Sequence, residues 1–177
     1  MITVSYYVAC SLDGYIAAAD GSVDWLSDFH SEGEDFGYAE FFESVDAMVM
    51  GSATYEQVLG FGDWPYGEKP CWVMSQRPIQ AVRPEIAITG LGPAEILAEI
   101  EDHHLTRAWL VGGARAAGAF RAYGLIDEYL ITVLPILLGD GVPLFVDEGP
   151  LLKLQLVKNG SVGKGAVTLH YCRSEDG

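Results

Sequence analysis

At 177 residues the chain is long enough to bury a full core, and with half its residues hydrophobic and only 20% charged it is not a disordered segment. A formal net charge of −15 argues against nucleic acid and anionic membrane as partners, because binding either rests on Lys and Arg neutralising phosphates. The distribution is uneven: no Lys or Arg precedes Lys69, while residues 1–68 hold 13 acids. Any phosphate bound here must therefore be held by backbone amides or by arginines from the second half.

The first element is a strand over 2–9, apolar and β-branched, which runs into Ser11-Leu12-Asp13-Gly14. Asp-Gly is a turn signal, since Gly accepts positive φ and Asp bonds its own backbone. A helix is expected over 34–44, then a buried strand Ala47–Met50 and a helix over 53–59. Strands follow at Cys71–Met74 and Ile86–Thr89. The pattern Ile96, Leu97, Ile100 gives 93–103 one apolar helical face, with Glu95, Glu99 and Asp102 outside and Pro93 in the first turn. Strand Ala108–Val111 leads to a helix over 114–123. The chain ends in strands Tyr129–Pro135, Leu152–Val157 and Ala166–Cys172, with Gly139–Pro143 expected as a turn between antiparallel strands. Strands alternating with helices imply βαβ units and a mostly parallel sheet covered on both faces. The reading is one domain over 1–177.

Cys10, Cys71 and Cys172 are odd in number and share no metal-ligand spacing, so reduced thiols and no metal are expected. The start lacks a basic signal-peptide region and no apolar run is long enough to span a bilayer, which points to the cytoplasm. Cys10 has no His near in sequence to activate it as a nucleophile.

Three strand-to-helix junctions carry candidate chemistry. In Met50-Gly51-Ser52-Ala53-Thr54, Ser52 or Thr54 is placed to cap the helix, whose first amides are a ready anion site. In Val111-Gly112-Gly113-Ala114-Arg115, paired glycines let a diphosphate approach the backbone, although the G-x-G-x-x-G fingerprint is absent. In Met74-Ser75-Gln76-Arg77, Ser75 with Arg77 offers charge-assisted bonds to a phosphate. Taken alone, the first junction reads sooner as an ordinary βα turn, the second as a plain Gly-Gly turn and the third as a surface loop with a solvated Arg.

Together with Ala9-Cys10-Ser11-Leu12-Asp13-Gly14-Tyr15-Ile16-Ala17 and Pro135-Ile136-Leu137-Leu138-Gly139-Asp140-Gly141-Val142-Pro143-Leu144-Phe145, these pieces resemble the dihydrofolate reductase superfamily. The closer likeness is to the reductase domain of the bifunctional riboflavin-biosynthesis deaminase-reductase and its free-standing relatives. The resemblance implies a three-layer α/β/α dihydrofolate reductase-like fold, with a mostly parallel central sheet and an antiparallel C-terminal edge. It implies NADPH, with NADH possible, laid over the carboxyl edge of the sheet. Gly112, Gly113 and Ala114, flanked by Val111 and Arg115, would meet the diphosphate. Ala9, Ile16 and Ala17 would line the nicotinamide, and Gly51, Thr54, Ser75 and Arg77 would surround the adenosine half. Asp13 matches the acid that serves the substrate, with Ser11 and Trp25 beside it. As a general acid it needs a raised pKa; orienting the substrate is the equal alternative.

The departures bear on the substrate. Asp28, His30 and Glu32 follow Trp25 without the carboxylate pattern of dihydrofolate reductases, and Gly60–Gly67 holds no Arg. Ser52 and Ala53 stand where an Arg often meets the cofactor's 2′-phosphate, leaving Arg77 as the main candidate for that contact. The expected activity is reduction of a small heterocyclic (pterin- or pyrimidine-like) or carbonyl substrate by NAD(P)H. A catalytically silent nucleotide-binding or sensing module is the alternative. The resemblance also implies a homodimer formed through the late strands.

Overall fold

The structure, a computed structural model, describes residues 1–29, 35–146 and 149–174. Ten strands and four α-helices follow in chain order: β1 Thr3–Ser11, β2 Tyr15–Ala17, α1 Tyr38–Ser44, β3 Ala47–Gly51, α2 Ser52–Gly60, β4 Cys71–Met74, β5 Ile86–Thr89, α3 Pro93–Asp102, β6 Arg107–Gly112, α4 Ala114–Ala122, β7 Glu128–Leu134, β8 Val142–Pro143, β9 Leu154–Val162 and β10 Ala166–Arg173. A short 3-10 helix spans Asp24–Phe29.

Eight strands form one sheet in the order β5-β4-β3-β6-β1-β7-β10-β9. The first six in that order are parallel, and β10 and β9 add an antiparallel edge. From β3 through β4 to β5 the chain steps outward, then returns through β6 to β7 in the opposite direction. Because crossovers are right-handed, that reversal sends the helices to opposite faces. Phe41 of α1 and Tyr55 and Val58 of α2 pack on Met48, Met50, Cys71, Val73 and Trp109. Ile96 and Ile100 of α3 and Ala117 and Phe120 of α4 pack on Val4, Tyr6, Val49 and Leu110. The result is the expected three-layer α/β sandwich, each fully buried Ile or Phe contributing about 2 kcal/mol.

Local chemistry moves several expected boundaries. Helix α1 starts at Tyr38, because Phe36 and Gly37 take φ of 55° and 81°, and Asp35 accepts hydrogen bonds from the Gly37 and Ala39 amides. Residue 34, the expected start, lies outside the described residues, as do His30 and Glu32. Helix α3 begins as expected at Pro93, with the Glu95 carboxylate accepting the Gly92 amide at 2.8 Å. Strand β9 starts two residues later than expected and runs on to Val162.

The largest topological difference concerns Gly139–Pro143. It does not turn the chain back alongside β7, whose antiparallel neighbour is β10, starting at Ala166, 24 residues after Val142. Val142–Pro143 instead pairs with Tyr15–Ala17 in a separate two-stranded sheet. Gly141 makes this possible, since a Cβ there would run into the Ala17 carbonyl oxygen.

At the amino edge of the sheet, four strands are tied by one ionic cluster. Ser5 Oγ and Arg107 Nη2 donate to Glu128 Oε2 at 2.6 and 2.8 Å, and His170 lies 3.5 Å from Glu128 Oε1. Burial raises the Glu128 pKa, but the Ser5 hydroxyl and the Arg107 guanidinium outweigh it, so the carboxyl stays below its ordinary value. The opposite, carboxyl edge is where the candidate site residues gather.

Candidate functional site

Strand β1 sits centrally, with β6 on one side and β7 on the other, so its carboxyl end opens between two neighbours that also end there. Open parallel sheets bind ligands in such crevices. Moving outward, the edge presents Leu134–Gly139 after β7, Ser11–Asp13 after β1, Gly112-Gly113 after β6, Gly51 after β3 and Ser75–Arg77 after β4. From β1 to β4 is three strand spacings, about 14 Å.

The glycine junctions adjoin one another. A Cβ on Gly51 would lie 3.8 Å from the Gly113 nitrogen, and a Cβ on Gly113 would lie 3.1 Å from Thr54 Oγ1. Gly112 has a φ of 121°, which side chains rarely adopt, and its peptide bond to Gly113 is cis. A Cβ on Gly112 would meet no atom within 4 Å, although the residue itself is buried. Contrary to the capping expected of Ser52 or Thr54, α2 is preceded by Gly51 with no side-chain cap. Helix α4 likewise starts after Gly113 without one. Two neighbouring helix starts thus leave first-turn amides for a ligand, and Ala114 is buried while Arg115 is exposed in the first turn of α4.

Beside β1 the arrangement is different. Ser11 is buried; its hydroxyl donates to Asp13 Oδ1 at 2.6 Å and accepts the Tyr15 amide at 2.9 Å. Asp13 is itself exposed and reaches across to the loop after β7, accepting the Leu138 amide at 3.1 Å and the Gly139 amide at 2.8 Å. The Leu12 amide donates to the Ile136 carbonyl at 2.8 Å, completing the tie. The Ser11 hydroxyl first, then the Gly139 and Leu138 amides, hold the Asp13 carboxyl below its ordinary value, outweighing desolvation. The raised pKa that proton donation needs is not found: the donors stabilise the charged form. Leu12 and Leu137, both strongly exposed, stand on these two tied loops. Nothing local in the sequence pointed to this pairing of residues some 125 positions apart.

The remaining candidates fall into two groups. Ala9 is half-buried opposite Thr132, Ala17 is buried against Val142, and Ile16 packs onto the main core, so all three flank the β1 end. Burial pushes the neighbouring Cys10 thiol up to about 11, so it stays protonated at neutral pH. Val111 packs half-buried on the α1–α2 side of the sheet. Trp25 lies in the 3-10 helix with Nε1 buried and without a hydrogen-bond partner among the described residues. The segment carrying it is pinned at both ends, by Gln57 donating to the Gly21 carbonyl and Lys164 to the Asp28 carbonyl.

At the β4 end the expected phosphate clamp is already engaged. Ser75 Oγ donates to the Arg77 carbonyl and accepts the Arg77 amide, closing its own turn. Arg77 Nη2 donates to Glu56 Oε2 at 2.8 Å. Glu56 was not anticipated as a site residue; the signal was its place two residues after Thr54, on the helix that opens at Gly51.

An open α/β sheet with a glycine-lined carboxyl edge defines a broad class. Residues 63–168 match the model of the RibD C-terminal domain, and the chain belongs to that family. It is similar to the uncharacterised Bacillus subtilis protein YwjB, 37% identical over 95% of this chain and 96% of that one. It is 31% identical, over 82% of its length, to the riboflavin biosynthesis protein RibD of Mycobacterium tuberculosis, of which it spans 46%. A crystal structure from Shewanella sp. PV-4, named "Putative riboflavin biosynthesis protein", superposes with a TM-score of 0.90 at 32% identity, covering 99% of this chain and all of that one.

Proposed function

We propose that the protein is an NAD(P)H-dependent reductase that passes a hydride to a small heterocyclic, pterin- or pyrimidine-like, or carbonyl substrate. The observation that carries this reading is the positive-φ Gly112 backbone beside two helix starts without side-chain caps, in a chain of the RibD C-terminal domain family. The nicotinamide, when bound, supplies the hydride. The chain's own residues have other tasks. Gly112, Gly113 and Ala114 would hold the diphosphate by backbone amides, with Val111 and Arg115 flanking them. Gly51, Thr54, Ser75 and Arg77 would surround the adenosine half, and Ala9, Ile16 and Ala17 would border the nicotinamide. Asp13, fixed by Ser11, would position the substrate and the Ile136–Gly139 loop, and Trp25 would contact the substrate.

The test is titration with NADH and NADPH, read by quenching of the four tryptophans. Saturable binding with a dissociation constant below about 100 μM, about 5.5 kcal/mol, is the expected result. No saturable signal with either nucleotide up to millimolar concentration would overturn it. One observation favours a silent nucleotide-binding module instead: Asp13 is engaged by the loop and ionised, so it offers no proton. Tight binding without oxidation of the cofactor by any dihydrofolate, pyrimidine or quinone would decide for that alternative.

The cytoplasm and a homodimer belong to the same proposal. All three cysteines are free, and no described helix is long and apolar enough to cross a membrane. Among the described residues edge strand β9 has no partner on its outer side, and Leu151, Leu154, Leu156 and Val157 are exposed on or next to it. An uncovered apolar edge invites strand pairing, and a second copy of the chain would cover it. Sedimentation equilibrium is expected to give about 38 kDa, twice the 19.2 kDa of one chain. A Leu156→Lys variant that stays dimeric would place the contact elsewhere.

A further inference from the structure

The adenosine end of the cleft carries a charge arrangement that composition alone concealed. Arg77 is the cation that follows β4 at the carboxyl edge. Lys69, Arg83 and Arg107 lie at or before the starts of β4, β5 and β6, at the opposite edge, and Arg115 stands by the diphosphate junction. Arg77 is not free to act as an isolated positive charge. Its guanidinium donates to Glu56 at 2.8 Å, and both side chains are about half exposed. An ion pair that exposed contributes little to stability. Its consequence lies in what it presents to a ligand: a carboxylate acceptor beside a neutralised cation.

A carboxylate at the ribose end accepts hydrogen bonds from 2′- and 3′-hydroxyls, whereas an unpaired arginine suits a 2′-phosphate. A 2′-phosphate arriving here must take Arg77 from Glu56 and then sit beside the displaced carboxylate. Ser52 and Ala53, at the start of the same helix, bring no second cation to offset that repulsion. The chain's net charge of −15 adds to it. We propose that Glu56 is a specificity-determining residue that turns the adenosine end toward a 2′-hydroxyl, so that NADH binds at least as tightly as NADPH. The proposal rests on the dinucleotide reading of the cleft and names which dinucleotide that cleft selects.

Glu56→Gln keeps the shape and removes the charge, and the exposed position makes it a safe substitution for folding. Titrations of wild type and variant with NADH and NADPH, read by tryptophan quenching, separate the possibilities. The wild type is expected to bind NADH as tightly as NADPH or more tightly. Glu56→Gln is expected to tighten NADPH about tenfold while NADH changes less than about threefold. Raising the salt concentration should shrink that difference, as screening requires. Binding of both nucleotides with a ratio unmoved by Glu56→Gln would overturn the proposal while leaving the cleft reading intact. So would a wild type that prefers NADPH by tenfold. Failure of the wild type to bind either nucleotide would overturn the cleft reading, and this inference with it.

Discussion

Replacing Gly112 with alanine will weaken dinucleotide binding by about 100-fold, while the chain still folds. The residue has φ 121°, a region nearly reserved for glycine, so alanine forces either strain or a backbone shift at the junction. Strain of that kind costs about 1–3 kcal/mol. For a chain of this length each kcal/mol lowers the melting temperature by about 2–4 °C. The new methyl would meet no atom within 4 Å, so packing is not the reason for the loss. What changes is the path of the backbone whose amides face the proposed diphosphate. Gly60→Ala is the matched control, since that glycine ends α2 without positive φ and with nothing within 4 Å of a Cβ. Nucleotide titration together with thermal denaturation of both variants checks this. Unchanged affinity in Gly112→Ala would remove the glycine junction from the site.

Asp13→Asn is expected to lower turnover about 100-fold, by the same factor at every pH between 5.5 and 8. The carboxylate accepts from Ser11, Leu138 and Gly139, and an asparagine must turn an NH2 group toward one of those donors. The loop after β7 then loses part of its tie to the β1 end, and groups across the cleft drift apart. A general acid would give a different profile, in which the loss varies with pH as the wild-type acid titrates. Stability supplies a second check. The folded pKa of Asp13 lies below its unfolded value of about 3.9, so its contribution is fully present above that value. It disappears as pH falls through the folded value. Wild type and variant should therefore differ in denaturant midpoint at pH 7 and converge in strong acid. A pH-dependent activity ratio would restore Asp13 as a proton donor.

The elements with strong local signals are legible in the sequence itself. Pro93 at the first helical position and Ile96 and Ile100 on one face specify α3 by themselves, and its bounds differ from the expected ones by one residue. The short apolar runs at Ala47 and Cys71 read as buried parallel strands, given the helix between them. The three strand-to-helix junctions were also visible, because glycine after a strand has a conformational cause that can be read locally. Other parts could not be read that way. The start of α1 depends on two consecutive residues at positive φ, and one of them, Phe36, carries no hint of it. Residues 142 and 143 form too short a strand to show a period, and their partner β2 lies more than 120 residues away.

Residue type and order thus define the fold class, the family likeness and the line of glycine-rich turns along one sheet edge, since propensity and hydrophobic period are properties of neighbouring residues. The charge state and partners of the site are not. Asp13 read alone is an available acid; with the Leu138 and Gly139 amides folded against it, it is an ionised anchor. Arg77 read alone is a phosphate ligand; with Glu56 brought 2.8 Å away it is half of an ion pair. Both reversals have one physical cause. The protonation and availability of a side chain depend on the donors and charges within a few ångströms, and here most of those are supplied by segments 21 to 126 positions away.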